Sequence, residues 1–273
     1  MSDSETMQRP APEPEDEPRA KAGEERPGLS LRASLGARWA ALPLRWRRAA
    51  FWANRIACWA LAAGAGGSLL WASLYGLAPV PGTALMVQRA VEGQDVRYRW
   101  RPLSQISPNL VRAVIAAEDA RFCAHSGFDF EAIESALRAA ESGGRLRGAS
   151  TISQQTAKNA YLFPWRSWAR KGAEAWFTVL DEALWTKRRT MEVYLNVAEW
   201  GDGLFGAEAA AQARFGKSAA ELSAREAALM AAVLPNPNTY RLDPPGPYVA
   251  GRAGSLQARM GEVRASGLDS CIY

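Results

Sequence analysis

The feature that most restricts the fold of this chain is an uncharged run over residues 56–88. Its first 22 residues, 56–77, are predominantly apolar and contain no proline, and prolines follow at 79 and 81. At a rise of about 1.5 Å per residue, a helix of this length spans about 33 Å, the thickness of a bilayer's hydrocarbon core. A buried core helix and a cleaved signal peptide are the alternatives. The run begins 55 residues into the chain and lacks a clear cleavage site, which favours an uncleaved transmembrane helix over 56–77.

Charge is distributed unevenly before this run. Residues 32–55 contain six arginines and no carboxylate, so we interpret them as a basic juxtamembrane segment. Residues 1–31 carry eight acidic side chains, four basic ones and five prolines, with almost no large apolar group to bury. This composition predicts a disordered, acidic, proline-rich tail. Because positive charge favours the cytoplasmic side, we expect the tail in the cytoplasm and the rest of the chain across the membrane.

Composition excludes several kinds of chemistry. His125 is the only histidine, so a site that needs two imidazoles is ruled out. Three scattered cysteines at 58, 123 and 271 offer no CxxC spacing for a metal or redox site, and Cys271 receives no role. A net charge of +5 favours an anionic partner without saying which one. The chemistry must therefore depend on carboxylates, hydroxyls, amides and cations.

Beyond the span, helical signals dominate, and we predict one mainly α domain with a short strand at VRYRW, residues 96–100. All but one of the predicted helices follow or begin at a capping residue. The first predicted helix follows Ser107 and covers 108 to about 122, and the second follows Asp129, with Phe130, Ile133, Leu137 and Ala140 on one face and Gly143-Gly144 at its end. The next two cover Ser150 to about Asn159 and about 167–196. The last covers 224–234 and follows a Ser223/Glu226 capping box.

Two helices carry candidate chemistry. In the first, Glu118 shares a four-residue spacing with Leu110, Val114 and Phe122, which puts a carboxylate on an apolar stripe. Partial burial disfavours the charged form of a carboxylate, which suits a proton-transfer group, although a solvated helix edge or an ion pair would also explain Glu118. Asp119, beside it, is expected to hold neighbouring backbone or His125.

The second region combines polar and basic side chains. Thr151, Gln155 and Lys158 fall on one helical face, which suits a sugar or a diphosphate but is also typical of a solvated face. Ten Lys or Arg and four Asp or Glu lie between Leu137 and Thr190. Arg170 and Glu174 are four residues apart, so a surface ion pair is the simpler interpretation of that pair. Nucleic acid is not expected as a partner, because no basic aromatic strand or docking helix is evident.

Five segments in order resemble the motifs of the family 51 peptidoglycan glycosyltransferases: EDARFCAHSGFD (118–129), GASTISQQTAKN (148–159), RKGAE (170–174), KRRTMEVYLN (187–196) and GLFGAEAAAQARFGK to EAALMAAVLPNP (203–237). The resemblance covers about residues 80–260, which we take as the glycosyltransferase domain, and leaves 261–273 as a C-terminal tail. It is closest to members with one anchor and no second catalytic domain. It implies a lysozyme-like, mainly α domain with a small jaw subdomain, preceded by one transmembrane helix.

The resemblance also implies an activity, polymerisation of lipid II into glycan strands by an inverting transfer to the 4-hydroxyl of GlcNAc. Glu118 matches the family's general base, and Glu174 matches a second glutamate on the donor diphosphate side. Asp119, Phe122 and His125 match supporting positions of the first motif. Positions that contact sugar or diphosphate correspond to Thr151, Gln155, Lys158, Arg170, Lys171 and Lys187.

The same resemblance sets expectations for partners and location. Lipid II, the growing lipid-linked glycan and the membrane are the expected partners, and proteins of cell-wall synthesis or division are left open. The expected location is the bacterial inner membrane, with a single span and a periplasmic catalytic domain. The sequence requires no cofactor and predicts no metal site, although a divalent cation is left open. A lysozyme-like cleaving enzyme and a non-catalytic membrane adaptor are the competing interpretations.

The second and fourth motifs depart slightly from the family pattern. Ala149 stands where a second glycine is usual, Ser153 replaces a common Thr, and Thr190-Met191 replaces an Ile-Leu pair. These changes affect packing more than proton transfer.

Overall fold

The computed structural model describes residues 43–143, 148 and 150–273. The predicted tail at 1–31, residues 32–42 of the basic segment and Ala149 lie outside these ranges. The chain divides into two compact units, Met1–Ala62 and Ala63–Tyr273. Of the first unit, the structure describes residues 43–62, most of which form the first half of a long helix. All contacts discussed below lie within the second unit.

The described residues are mainly helical with one small sheet, as the sequence predicts. In chain order the elements are α1 (Leu44–Leu77), α2 (Ala84–Val91), β1 (Arg97–Tyr98), a 3-10 turn (Leu103–Gln105), α3 (Pro108–Glu118), α4 (Phe130–Glu141), α5 (Ile152–Tyr161), α6 (Trp168–Leu184), α7 (Lys187–Val197), β2 (Glu199–Gly201), β3 (Leu204–Phe205), α8 (Ala207–Phe215), a second 3-10 turn (Ala219–Glu221), α9 (Ala224–Val233) and α10 (Pro247–Ala265).

Helix α1 contains the whole predicted span and begins 12 residues earlier, at Leu44 rather than at 56. It is the one helix, within the part of the chain that the structure describes, that is long and apolar enough to cross a membrane. Its apolar side chains are largely exposed, as lipid-facing groups are. The helix is therefore consistent with a single-pass membrane protein.

The larger hydrophobic core surrounds α3. Six of its residues from Leu110 to Ala116 are buried, and the helix packs against α9 and α10, which also pack against each other. Helix α9 begins at the predicted Ser223/Glu226 capping box, which is confirmed. Helix α10, by contrast, was not predicted, because its N-cap is Gly246 and no side chain caps it. Val249, Leu256 and Val263 of α10 complete this core.

A second, smaller core joins α5, α6 and α7 to the C-terminal half of α1. The Tyr161 ring stacks on Phe177 with centroids 4.1 Å apart, and Trp71 meets both rings edge-on. The indole N–H of Trp185 donates to the Ala72 carbonyl at 2.9 Å. This anchor-side core therefore attaches α5, α6 and α7 to the C-terminal half of α1, at residues that belong to the predicted span over 56–77.

The three strands form one small sheet in the order β1-β3-β2. The predicted strand at VRYRW is confirmed as β1, which pairs in parallel with β3. Strand β2 pairs with β3 in the antiparallel sense, with an irregularity between Glu199 and Gly201.

Several predicted boundaries are wrong. Helix α3 ends at Glu118 rather than near Phe122, because the backbone at Asp119 is extended, with φ −161° and ψ 80°. The predicted helix over 167–196 is two helices, since Trp185 adopts an extended conformation and Thr186 caps α7. The predicted apolar face of α4 is not buried, and Phe130 is 73% exposed.

Candidate active site

Glu118 is the last residue of α3, at the edge of the main core. The fully buried Leu110 and Val114 precede it on the same stripe, and the carboxylate itself is half-buried. The amide Nε2 of Gln155, from α5, donates to Oε2 of Glu118 at 2.9 Å. Glu118 also lines two cavities, of about 650 Å³ and about 230 Å³. The carboxylate is therefore held by a neutral donor at the boundary of open space large enough for a ligand.

Asp119 has a different role from its neighbour. The carboxylate is buried and accepts from His125 Nε2 at 3.0 Å and from the backbone N–H of Ile152 at 3.0 Å. Ile152 is the first residue of α5, so the negative charge sits at a helix N-terminus, where it is stabilised. The sequence expectation that Asp119 holds backbone or His125 is confirmed for both partners. Asp119 thereby ties the loop after α3 to the start of α5.

The start of α5 differs from the prediction. Thr151, rather than Ser150, is the N-cap and forms a capping box with Gln154. The Thr151 hydroxyl donates to the Gly127 carbonyl at 2.6 Å. Gly127 has φ +85°, and a Cβ there would lie 2.8 Å from Thr178 Cγ2, so no larger residue fits. Thr151 is therefore engaged with the backbone, whereas Gln155 and Lys158 remain on the side of α5 that faces the other site residues.

Basic side chains surround Glu174 on α6. Its carboxylate is only 3% exposed and accepts from Arg170 Nη1 at 2.8 Å and from Lys171 Nζ. The predicted pair of Arg170 with Glu174 is thus present, but it is a largely buried ion pair joined by a second cation rather than a surface pair. Burial is the largest influence on Lys158 and lowers its pKa, while Glu174 raises it and Arg170 and Lys171 lower it further. Three cations therefore accompany one carboxylate, which leaves an excess of positive charge.

Lys187 and Phe122 form a separate contact. The Lys187 ammonium lies 4.7 Å from the centroid of the buried Phe122 ring and pairs with Glu182 Oε1 at 2.8 Å. The same Glu182 oxygen accepts from the Ser153 hydroxyl at 2.6 Å. Glu182 was not among the predicted site residues. Lys187 is consequently held at the junction of α5, α6 and the loop that follows Glu118.

The structure also shows a disulfide that was not predicted. Cys123, in the loop after Glu118, is bonded to Cys271, 148 residues later. Nearby, Arg112 pairs with Asp269 at 2.8 Å and the buried Ile272 accepts from Arg188. The C-terminal residues therefore pack beside the first motif, which corrects the assignment of no role to Cys271. A spacing argument confined to CxxC could not find a pair so distant in sequence.

Two arginines of α10 were also missed by sequence reasoning. Arg252 and Arg259 line the 650 Å³ cavity together with Glu118 and Gln155. Within residues 43–143, 148 and 150–273, no group of three or more His, Cys, Asp or Glu side chains is arranged to hold a metal ion.

Comparison with known proteins gives a consistent result. The transglycosylase family model matches residues 85–260. A protein of Rhodospirillum centenum named biosynthetic peptidoglycan transglycosylase is 58% identical over 199 residues, which are 72% of this chain and 86% of that protein. Proteins of the same name from Caulobacter vibrioides and Pseudomonas fluorescens are 55% and 51% identical, over 87% and 85% of their lengths.

The matching family model and these relatives thus define a glycosyltransferase. The chain belongs to the family of peptidoglycan transglycosylases.

Proposed function

We propose that this chain polymerises peptidoglycan glycan strands from lipid II. The growing lipid-linked glycan is the donor, and the 4-hydroxyl of GlcNAc in an incoming lipid II is the acceptor. The hydroxyl oxygen forms the new bond to the donor's C1, the bond from C1 to the diphosphate breaks, and the hydroxyl proton passes to Glu118. A single displacement inverts the α-linked diphosphate to a β-1,4 bond.

One observation carries this proposal, namely that α5 connects an available carboxylate to a basic cluster. Gln155 holds Glu118, and Lys158, three residues later, lies within electrostatic range of Glu174, Arg170, Lys171 and Glu118 itself. Residues three apart lie on the same side of a helix. A hydroxyl activated at Glu118 and a leaving group held at Lys158 are therefore close enough to belong to one reaction.

Glu118 suits the role of general base because its partner is a neutral amide. A proton arriving at this carboxylate breaks no ion pair among the described residues. General base catalysis of this kind contributes about 10² to 10⁴ in rate. Asp119, His125 and Thr151 act by position, since their described contacts hold the loop after α3 against α5. Phe122 acts by position through its contact with Lys187 of α7.

The cations suit the role of receiving the leaving diphosphate. Arg170 and Lys171 are fixed by Glu174, so their remaining N–H groups are oriented before substrate arrives. Burial lowers the pKa of Lys158, and a bound diphosphate offsets that effect because it favours the ammonium form. Lys187 supports this side of the site from its position between Phe122 and Glu182.

The relation of the cluster to the anchor fits a lipid-linked substrate. Trp176 of α6 donates to the Ser68 hydroxyl of α1 at 3.0 Å, and Arg189 of α7 donates to the Tyr75 carbonyl at 2.7 Å. The segment before and at the start of α6 exposes Phe163, Trp165 and Trp168, side chains typical of a membrane interface. These contacts hold α6 and α7 against the second half of the predicted 56–77 span, so the basic cluster belongs to the part of the domain next to the membrane, where the diphosphate of a membrane lipid would be.

The same proposal covers location and domain limits. We place the chain in the bacterial inner membrane with its N-terminus in the cytoplasm and residues 80–260 in the periplasm. The disulfide between Cys123 and Cys271 supports the periplasmic side, because such bonds persist in oxidising compartments. Residues 261–273 extend the folded domain, since the disulfide and Ile272 pack there.

Purified lipid II and the variant Glu118→Gln test the proposal. We expect wild-type protein to form polymer on gels and the variant to lose at least about 10²-fold in rate, since an amide cannot accept the proton. Glu134→Gln is the matched control, because Glu134 is exposed and pairs only with Arg138 among the described residues. Polymerisation by Glu118→Gln at the wild-type rate would contradict the proposal, and so would cleavage of mature peptidoglycan in place of polymerisation.

A further inference from the structure

The cavity beside Glu118 contains basic residues that the proposed reaction does not use. Glu118 and Gln155 line one part of it, and Pro235, Arg252 and Arg259 line another. Arg252 and Arg259 are seven residues apart on α10, so they lie on the same face about two turns from each other. A volume of about 650 Å³ is enough to hold sugar units.

Both arginines are available to a ligand. No carboxylate in the described ranges forms an ion pair with either guanidinium. Residues 144–147 and 149, the internal gaps in those ranges, include no Asp or Glu. Arg252 Nη2 donates to the Ala117 carbonyl at 3.5 Å, and the buried Nε has no partner in the described part of the chain. The protein therefore uses only part of the hydrogen-bonding capacity of the Arg252 guanidinium, and a buried donor without a partner is costly.

The position of α10 indicates which anion would bind. Helix α10 packs on α3 and α9 in the main core, whereas the cluster around Glu174 belongs to helices that pack on α1. Among the described residues, the cavity lining includes none of Lys158, Arg170 and Lys171. The cavity therefore lies against Glu118, the start of α5 and α10 rather than against the basic cluster. Lipid II carries two kinds of anion, the diphosphate and the carboxylates of its peptide, and the proposed reaction places the diphosphate at that cluster.

We propose that Arg252 and Arg259 bind a carboxylate of the peptide carried by the glycan substrate. A guanidinium presents a planar set of donors that matches a carboxylate, and two on one face can hold one such group or two adjacent ones. This inference rests on the proposed function, because the peptide reaches the cavity only as part of lipid II or its polymer. It makes the two arginines residues that select the substrate rather than residues that carry out the transfer.

Steady-state polymerisation of two substrates tests the inference. One is lipid II with free peptide carboxylates, and the other is lipid II with those carboxylates amidated. For Arg252→Gln/Arg259→Gln we expect KM for the free-carboxylate substrate to rise about tenfold, with kcat changed by less than about twofold. The KM for the amidated substrate should equal the wild-type value. Wild-type protein should prefer the free-carboxylate substrate, and the double variant should lose that preference.

Arg264→Gln is the matched control, because Arg264 is an exposed residue of the same helix outside the cavity lining. If the double variant unfolds, Arg259→Gln alone carries the test, since this side chain is exposed and its loss leaves α3 untouched. Arg252→Lys keeps the positive charge but lacks the planar guanidinium. Its KM for the free-carboxylate substrate should lie between the values for wild type and Arg252→Gln.

Three results would overturn the inference. Equal increases in KM for both substrates would assign the arginines to the diphosphate or to the fold, and an unchanged KM would show that they do not bind substrate. Equal KM values of the wild-type protein for both substrates would also contradict the inference while leaving the proposed function intact. Failure of the wild-type protein to polymerise either substrate would instead contradict the proposed function, and the inference with it.

Discussion

Two glutamates in this site have opposite surroundings. Glu118, at the end of α3 in the main core, accepts one hydrogen bond from the neutral amide of Gln155 and borders two cavities. Glu174, within α6 on the anchor side, is buried between Arg170 and Lys171. A proton arriving at Glu118 displaces an amide, whereas a proton arriving at Glu174 would break two ion pairs.

This difference shows that glutamate can serve two purposes in one site. An accessible carboxylate with a neutral partner can exchange a proton, while a carboxylate enclosed by cations can only fix their positions. We therefore expect substitutions at Glu118 to change rate and substitutions at Glu174 to change stability as well.

The largest expected effect on stability separates the two glutamates. Glu174→Gln leaves two cations beside a buried amide and should lower the free energy of unfolding by about 3–5 kcal/mol. Glu118→Gln removes a half-buried charge from a neutral partner and should change stability by less than about 1 kcal/mol. Urea unfolding of both variants in one detergent measures the contrast. Equal losses in the two variants would show that the two carboxylates do not differ as described.

The disulfide gives the next largest effect, and it should act on the Glu118 side. The bond between Cys123 and Cys271 closes a long loop, so Cys123→Ser/Cys271→Ser should lower stability by about 2–4 kcal/mol. The rate should fall because the loop that carries Asp119 and His125 is less fixed, while affinity for a lipid diphosphate, which we place at the Lys158, Arg170 and Lys171 cluster, should remain. Unfolding, turnover and binding assays would check this, with the exposed Cys58→Ser as control. Loss of lipid diphosphate affinity would contradict the separation of the two sides.

The last prediction concerns the pH dependence of stability rather than a loss at one pH, and it involves Asp181 on the anchor side. Burial, the main cause, raises the pKa of Asp181 to about 8, although Tyr161 donates to it. Since its folded pKa lies above its unfolded value, the protonated acid contributes stability that is complete below about pH 4 and is lost as pH rises through about 8. The melting temperature of Asp181→Asn should therefore vary less with pH across this range than that of wild type. A wild-type melting temperature that rises with pH between about 4 and 8 would contradict the raised pKa of Asp181.

The sequence was most informative where local patterns determine structure. The four-residue spacing of Leu110, Val114 and Glu118 predicts the buried stripe that ends at the carboxylate, and the structure has it. The Ser223/Glu226 capping box and the uncharged run of α1 are signals of the same kind. In each, the residues that fix the element are a few positions apart.

Long-range features could not be read in this way. Cys123 meets Cys271 and Arg252 reaches Ala117 only because α10 packs on α3, and the start of α10 is marked only by Pro247, after a Gly246 N-cap that offers no side chain. The buried environment of Glu174 was also hidden, because Arg170 at i−4 is typical of a surface pair until the packing of α6 is known. The break at Trp185 depends on its hydrogen bond to Ala72 of α1 and on the cap at Thr186.

The most direct test of the account is the pH dependence of kcat/KM for lipid II polymerisation in three proteins. If Glu118 accepts the proton, wild type and Glu174→Gln should both lose activity towards acid pH, and the residual rate of Glu118→Gln should lack that loss. A loss of activity towards acid pH that persists in Glu118→Gln and disappears in Glu174→Gln would contradict the account, because it would assign the proton transfer to Glu174.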